Sequence, residues 1–134
     1  MTAPLLEIRN LKKHFPLRKG LFGRVNAYVR AVDDVSFAVS TGETLGLVGE
    51  SGCGKSTAGK TLLKLLEPDG GSILLEGKDI TRYNRRGMAA VRRDLQIVFQ
   101  DPYSSINPRM TAGTYVGEPL RIHGLARGRE LRSQ

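Results

Sequence analysis

Apolar residues fall in short runs separated by turn-forming clusters. Leu5–Leu11 ("LLEIRNL") carries residues suited to a strand. "KKHFPLRKGLFGR" follows, and its basic residues with Pro16, Gly20 and Gly23 predict a surface loop. "AYVRAVDDVSFAVS" predicts two short strands with a break at Asp33-Asp34. In the second, Val35, Phe37 and Val39 alternate onto one face. Thr44–Gly49 ("TLGLVG") is almost wholly apolar, the pattern of a strand buried on both faces. "KSTAGKTLLKLLEP" changes period. Leu62, Leu63, Leu65 and Leu66 form a helical stripe that Pro68 stops. "DGG" reads as a turn, "SILLEG" as a strand, "NRRGMAAVRRDL" as a basic helix and Leu95–Phe99 ("LQIVF") as a second buried strand. "QDPYSSINPRMT" reads as a loop, "YVGEPLRIHG" as a helix interrupted at Pro119, and "LARGRELRSQ" as a polar, basic tail. Strands alternating with helices predict an α/β fold.

Composition changes this picture little. With 134 residues the chain has the size of one domain with a real core. A net charge of +8 favours anionic partners. The single cysteine, Cys53, excludes a disulfide within the chain and suits a reducing compartment. "MTAPLLEIRN" lacks the pattern of a secretory signal, and no apolar run reaches membrane-spanning length. Any membrane link is therefore expected to be peripheral.

The candidate chemistry lies between the first buried strand and the leucine-striped helix. "GESGCGKST" comprises Gly49, Glu50, Ser51, Gly52, Cys53, Gly54, Lys55, Ser56 and Thr57, and fits G-x-x-x-x-G-K-[ST] without a gap. Context strengthens the motif, because a strand runs in and a helix runs out. Glycines let successive N–H groups converge on one point. The helix start adds unpaired donors and a positive dipole end. In this pattern Lys55 reaches the β- and γ-phosphates, Ser56 offers its hydroxyl to Mg²⁺, and Thr57 lies toward the α-phosphate. The competing reading is a glycine-rich strand–helix turn that binds nothing. Cys53 is a redox-sensitive thiol or simply a small loop residue.

"GETLGLVGESGCGKST" followed by "LQIVFQDPYSSINPRMT" resembles the ATP-binding subunit of ATP-binding cassette (ABC) transporters. The flanking "HFPLRKGLFGR" and "NPRMT…GEPLRIHG" are similar to the oligopeptide/dipeptide importer branch. The resemblance covers nearly the whole chain. It implies a P-loop NTPase with a mixed sheet around a strand–P-loop–helix core, ATP and Mg²⁺ as cofactors, and Lys55 acting in catalysis. By the same resemblance Gln100 is the Q-loop glutamine, contacting Mg²⁺ and the attacking water and linking ATP to the membrane subunits. An amide suits that work chemically. Phe15 matches the aromatic that stacks on adenine, with Tyr28 as its rival. The implied partners are membrane permease subunits, docking beside the Q-loop, and a second ATP-binding subunit. The implied location is peripheral, on the cytoplasmic face of the inner membrane.

The family's later motifs find no match. Neither "DGGSILLEG" nor "IVFQD" provides an LSGGQ signature or a Walker B pair of acids. His14 and His123 do not follow such a strand. Residues 1–134 are therefore expected to form the N-terminal part of an ABC ATP-binding domain, hydrolysing little by themselves. Arg82, Arg85, Arg86, Arg92 and Arg93 raise a second possibility, a DNA-repair or chromosome-type ABC ATPase. Few aromatics lie nearby to stack bases, so a solvated helix face is the preferred reading and no nucleic acid is expected.

Overall fold

The computed structural model describes residues 3–19, 24–101, 106–125 and Gly128. Two compact units divide the chain, residues 1–88 and 89–134. The first contains a four-stranded sheet. Strand β1 spans Leu6–Lys19, β2 Arg24–Val39, β3 Gly70–Leu75 and β4 Lys78–Asp79. Helix α1, Lys55–Leu62, lies between β2 and β3 in sequence. Helix α2, Arg85–Val91, starts in the first unit, and α3, Ala112–Ile122, lies in the second.

The sheet order is β2-β1-β3-β4, and every pairing is antiparallel. The mixed sheet expected from the family pattern is thus not what the described residues form. Thr44–Gly49 and Leu95–Phe99 are not strands, and their side chains are largely exposed, Val48 to 93% and Val98 to 90%. A strand needs a ladder partner for its N–H and C=O groups. Among the described residues none pairs with either segment.

The expected loop after Leu11 is also corrected. β1 continues through Lys19, and Phe15, Pro16 and Leu17 pair with Val29, Tyr28 and Ala27. Beyond Lys12 only β2 flanks it, and a strand with one open side tolerates proline. Gly20 and Gly23 lie outside the described residues. The two strands expected around Asp33-Asp34 are one strand with irregular register. At the irregularity Asn10 and Asp34 both take left-handed backbone angles (φ 50° and 58°). Asn10 Nδ2 donates to Asp34 Oδ1 at 2.9 Å, and the Asn10 N–H donates to Ser36 Oγ at 2.8 Å.

The core of the first unit is small: Ile8, Leu11, Val32, Ala58, Ile73, Ile80 and Met88 are buried. α1 packs on β1 and β2. It ends at Leu62, before the expected stop at Pro68. Lys64 closes it in a left-handed conformation (φ 55°), and the N–H groups of Leu65 and Leu66 return to Lys60 O at 2.9 and 3.2 Å. Glycine usually fills such a position. Lys64 holds it through its side chain, 2% exposed, which donates to Thr81 O at 2.6 Å and pairs with Glu67. The basic helix shrinks to α2, and α3 continues through Pro119 instead of breaking there. Thr111 caps α3, its hydroxyl accepting from Thr114 N–H at 3.3 Å.

Candidate functional site

Gly49–Thr57 wraps the start of α1. Gly52 and Gly54 have φ of 82° and 99°, a region that side-chain-bearing residues avoid. Gly54 is the helix N-cap and offers no side chain to the first turn, which also lacks acidic residues. The first helical bond is made by Ala58 N–H to Gly54 O at 2.8 Å. Backbone N–H groups of Lys55, Ser56 and Thr57 therefore precede the helical ladder, where an anion is favoured.

Two glycines in this loop are closely approached, Gly54 by backbone and Gly49 by a side chain. A Cβ on Gly54 would lie 2.0 Å from Ala31 O, and one on Gly49 would lie 2.7 Å from Cys53 Sγ. Ala31 is left unpaired in the β1–β2 register, between Val32 and Arg30, so its carbonyl reaches the loop from a bulge. The sequence gives no motif for this role; the only trace is the broken alternation around "VRAVDD".

Lys55 folds back over the loop. Its Nζ donates to Gly49 O and Glu50 O, both at 2.6 Å, with Cys53 Sγ 3.5 Å away. The Cys53 N–H donates to Glu50 O at 3.3 Å, which tightens the same turn. Ser51 and Ser56 are exposed, and Thr57 O accepts from the buried Thr61 hydroxyl at 2.7 Å. An ammonium beside a helix start whose first N–H groups lack ladder partners suits a polyphosphate. For Mg²⁺ the loop provides the exposed Ser56 hydroxyl, a hard oxygen ligand. The described residues contain no cluster of three or more His, Cys, Asp or Glu side chains able to hold a metal.

Phe15 projects from β1 and is 37% exposed. It pairs with Val29, whereas Tyr28 pairs with Pro16. Adjacent pairs in a ladder face opposite sides, so Phe15 and Tyr28 project from opposite faces of the ribbon. Lys13, two residues before Phe15 on the same strand face, places its Nζ 5.5 Å from the Phe15 ring centroid.

A charge network surrounds these residues. His14 Nε2 lies 3.2 Å from Asp33 Oδ1, and Arg30 Nη1 lies 3.2 Å from Asp33 Oδ2. The His14 imidazole, and then Arg30, hold the Asp33 carboxyl below its ordinary value. Asp69 Oδ2 accepts from the His14 N–H at 2.7 Å. That bond, and then the Lys13 ammonium at 3.2 Å, likewise hold the Asp69 carboxyl below its ordinary value. In the sequence Asp69 shows only as part of the "DGG" turn, with no motif to mark these contacts.

Gln100 is exposed at a bend after Leu95–Phe99, in the second unit. Within that unit Arg93 Nη2 donates to His123 O at 2.7 Å. This interaction engages one of the arginines that had suggested nucleic acid. Pro102–Ser105 of the expected Q-loop lie outside the described residues. No helix among the described residues is long and apolar enough to cross a membrane.

Residues 32–131 match the family model described as ABC transporter. The chain is 53% identical over 127 residues to the glutathione import ATP-binding protein GsiA of Escherichia coli O157:H7, covering 95% of this chain and 20% of that protein. It is 50% identical to the oligopeptide transport ATP-binding protein AppF of Bacillus subtilis, covering 94% of this chain and 39% of that one. The chain therefore spans about a fifth to two-fifths of the length of these relatives. Among solved structures it is similar to the dimeric post-hydrolysis state of the ATP-binding cassette MJ0796 bound to ADP and Pi. That match has a TM-score of 0.75 at 25% identity over 96% of this chain and 53% of the other.

Proposed function

The chain belongs to the ABC transporter family, and from that premise we propose that Gly49–Thr57 grips the phosphates of ATP. In the whole subunit, hydrolysis of that ATP powers import of peptides or related small solutes. The observation that carries the reading is the Lys55 ammonium held over an uncapped, glycine-lined helix start. Incoming β- and γ-phosphate oxygens replace the Gly49 and Glu50 carbonyls as its partners. They also meet the N–H groups of Lys55, Ser56 and Thr57.

Residues 1–134 supply the nucleotide-gripping, N-terminal part of the ATP-binding domain. Ser56 offers its hydroxyl to Mg²⁺, which when bound neutralises charge on the phosphate oxygens, and Gln100 is the Q-loop glutamine of the family pattern. Gln100 also orients water and reports occupancy toward the permease. Phe15, the residue that matches the family's stacking aromatic, is the adenine platform rather than Tyr28; its ring is 37% exposed with Lys13 Nζ 5.5 Å from its centroid. Permease subunits and a second ATP-binding subunit are the partners, and they bring the chain to the cytoplasmic face of the membrane. The names of its glutathione- and oligopeptide-importing relatives support the solute class.

Titration of the 134-residue chain with ATP and with inorganic tripolyphosphate tests this. Both should bind, Lys55→Met should weaken both by about tenfold or more, and Mg-dependent turnover should be slight. Equal affinity in the variant would overturn the cradle. Robust turnover would overturn the assignment of these residues to the gripping part alone.

A further inference from the structure

We propose that Asp69 is a positioning residue for the adenine platform, holding Phe15 ready to stack on a purine. The inference rests on the phosphate-grip reading and on Phe15 as the platform, and adds a residue that neither assigns.

Asp69 touches three consecutive residues of β1 just before Phe15. Its N–H donates to Lys12 O at 2.9 Å, and its Oδ2 accepts from the His14 N–H at 2.7 Å. Its Oδ1 accepts from Lys13 Nζ at 3.2 Å. The next residue, Gly70, pairs with Lys12 as the last contact between β3 and β1. Past that point β1 has no neighbour on the β3 side, so Asp69 substitutes for the missing ladder with one backbone and two side-chain hydrogen bonds.

The Lys13 contact has a second effect. The ammonium held by Asp69 lies over the Phe15 ring at 5.5 Å. A cation over one face of an aromatic ring fixes that face and leaves the other for an incoming base. Lys13 is the more sequestered member of its pair, with 13% side-chain exposure against 44% for Asp69. Its position is therefore set by the strand and the carboxylate rather than by solvent. Removing Asp69 frees both the His14 N–H and the Lys13 ammonium, and the Phe15 ring loses its fixed orientation. The phosphate loop has no contact with Asp69 among its hydrogen bonds, so its grip is untouched.

A split between base and phosphate follows. Asp69→Ala should raise the Kd for ATP about three- to tenfold, the range expected for one or two modest hydrogen bonds. The Kd for inorganic tripolyphosphate should stay within about twofold. Asp69→Asn keeps an acceptor for the His14 N–H without the charge that holds Lys13, and should fall between. The chain has no tryptophan, so Phe15→Trp creates a lone reporter. ATP should quench it, tripolyphosphate should not, and Asp69→Ala in that background should reduce the quenching. Amide hydrogen exchange at His14 should quicken in Asp69→Ala while circular dichroism shows the chain still folded. Equal weakening of both ligands, or of neither, would overturn the positioning role. Failure of the unsubstituted chain to bind either ligand would overturn the phosphate grip and this inference with it. Binding of tripolyphosphate as tightly as ATP would remove the platform alone.

Discussion

At Gly54 two demands coincide. The residue has φ 99°, and any Cβ would run into the Ala31 carbonyl at 2.0 Å. Gly54→Ala should therefore cost at least about 2 kcal/mol of stability, read as a lower urea midpoint. Lys55→Met, which keeps the aliphatic stem, should change stability by under about 1 kcal/mol while weakening polyphosphate binding about tenfold or more. The pair of variants separates the glycine's structural role from the lysine's chemical one. Cys53 gives a steric counterpart. Its thiol is exposed, lies 3.5 Å from Lys55 Nζ, and sits where a Cβ on Gly49 would approach it to 2.7 Å. A bulky maleimide on Cys53 should block ATP binding; labelled protein that keeps full affinity would show that the thiol lies clear of the nucleotide. Residues 49–57 were legible in the sequence because the motif encodes backbone geometry directly. Ala31 and Asp69 were not, because what they contribute depends on which strands become neighbours.

Among the elements, legibility followed where hydrogen bonds could be satisfied. α1 starts where the motif places it, and β3 covers most of the strand expected at "SILLEG" but begins two residues earlier, at Gly70 within the expected turn. β1 was read too short because its second half is basic and contains Pro16, features that mark a loop unless another strand covers one side. Thr44–Gly49 and Leu95–Phe99 have the apolar content of strands, but content does not supply a ladder. The joint between β1 and the Asp69 turn carries a pH signature. Asp69 titrates below its ordinary value in the folded chain, chiefly through the His14 N–H. A carboxylate depressed by folding contributes stability above its unfolded value, about 3.9, and loses it as pH falls through the folded value. Urea midpoints should therefore decline as pH drops from about 5 to about 3. Asp69→Asn should start lower and decline less steeply, whereas an unchanged slope would place the acid sensitivity elsewhere.

On the scale of the whole molecule, the chain joins a strongly basic composition to uncovered apolar surface. In the first unit an apolar cleft of about 290 Å³ runs between the sheet and α1, lined by Leu6, Leu11, Phe37, Val39, Leu45 and Leu47 among others. In the second unit Val98 is 90% exposed. Patches of this kind bind apolar probes and promote association. Nile red is the suitable probe, because it is uncharged and a net charge of +8 would attract an anionic dye for other reasons. Its emission should rise and shift to the blue on mixing with the folded 134-residue chain. A flat response would mean that these surfaces are covered in solution.

The close fit of Gly54 against Ala31 also bears on how this loop would age. A descendant that no longer used nucleotide would be free to drift at Lys55 and Ser56, the residues proposed to hold the phosphates and Mg²⁺. It would still be held to glycine at position 54 by its own β-bulge. A glycine surviving there thus testifies to an inherited fold, and only the lysine beside it testifies to a working grip.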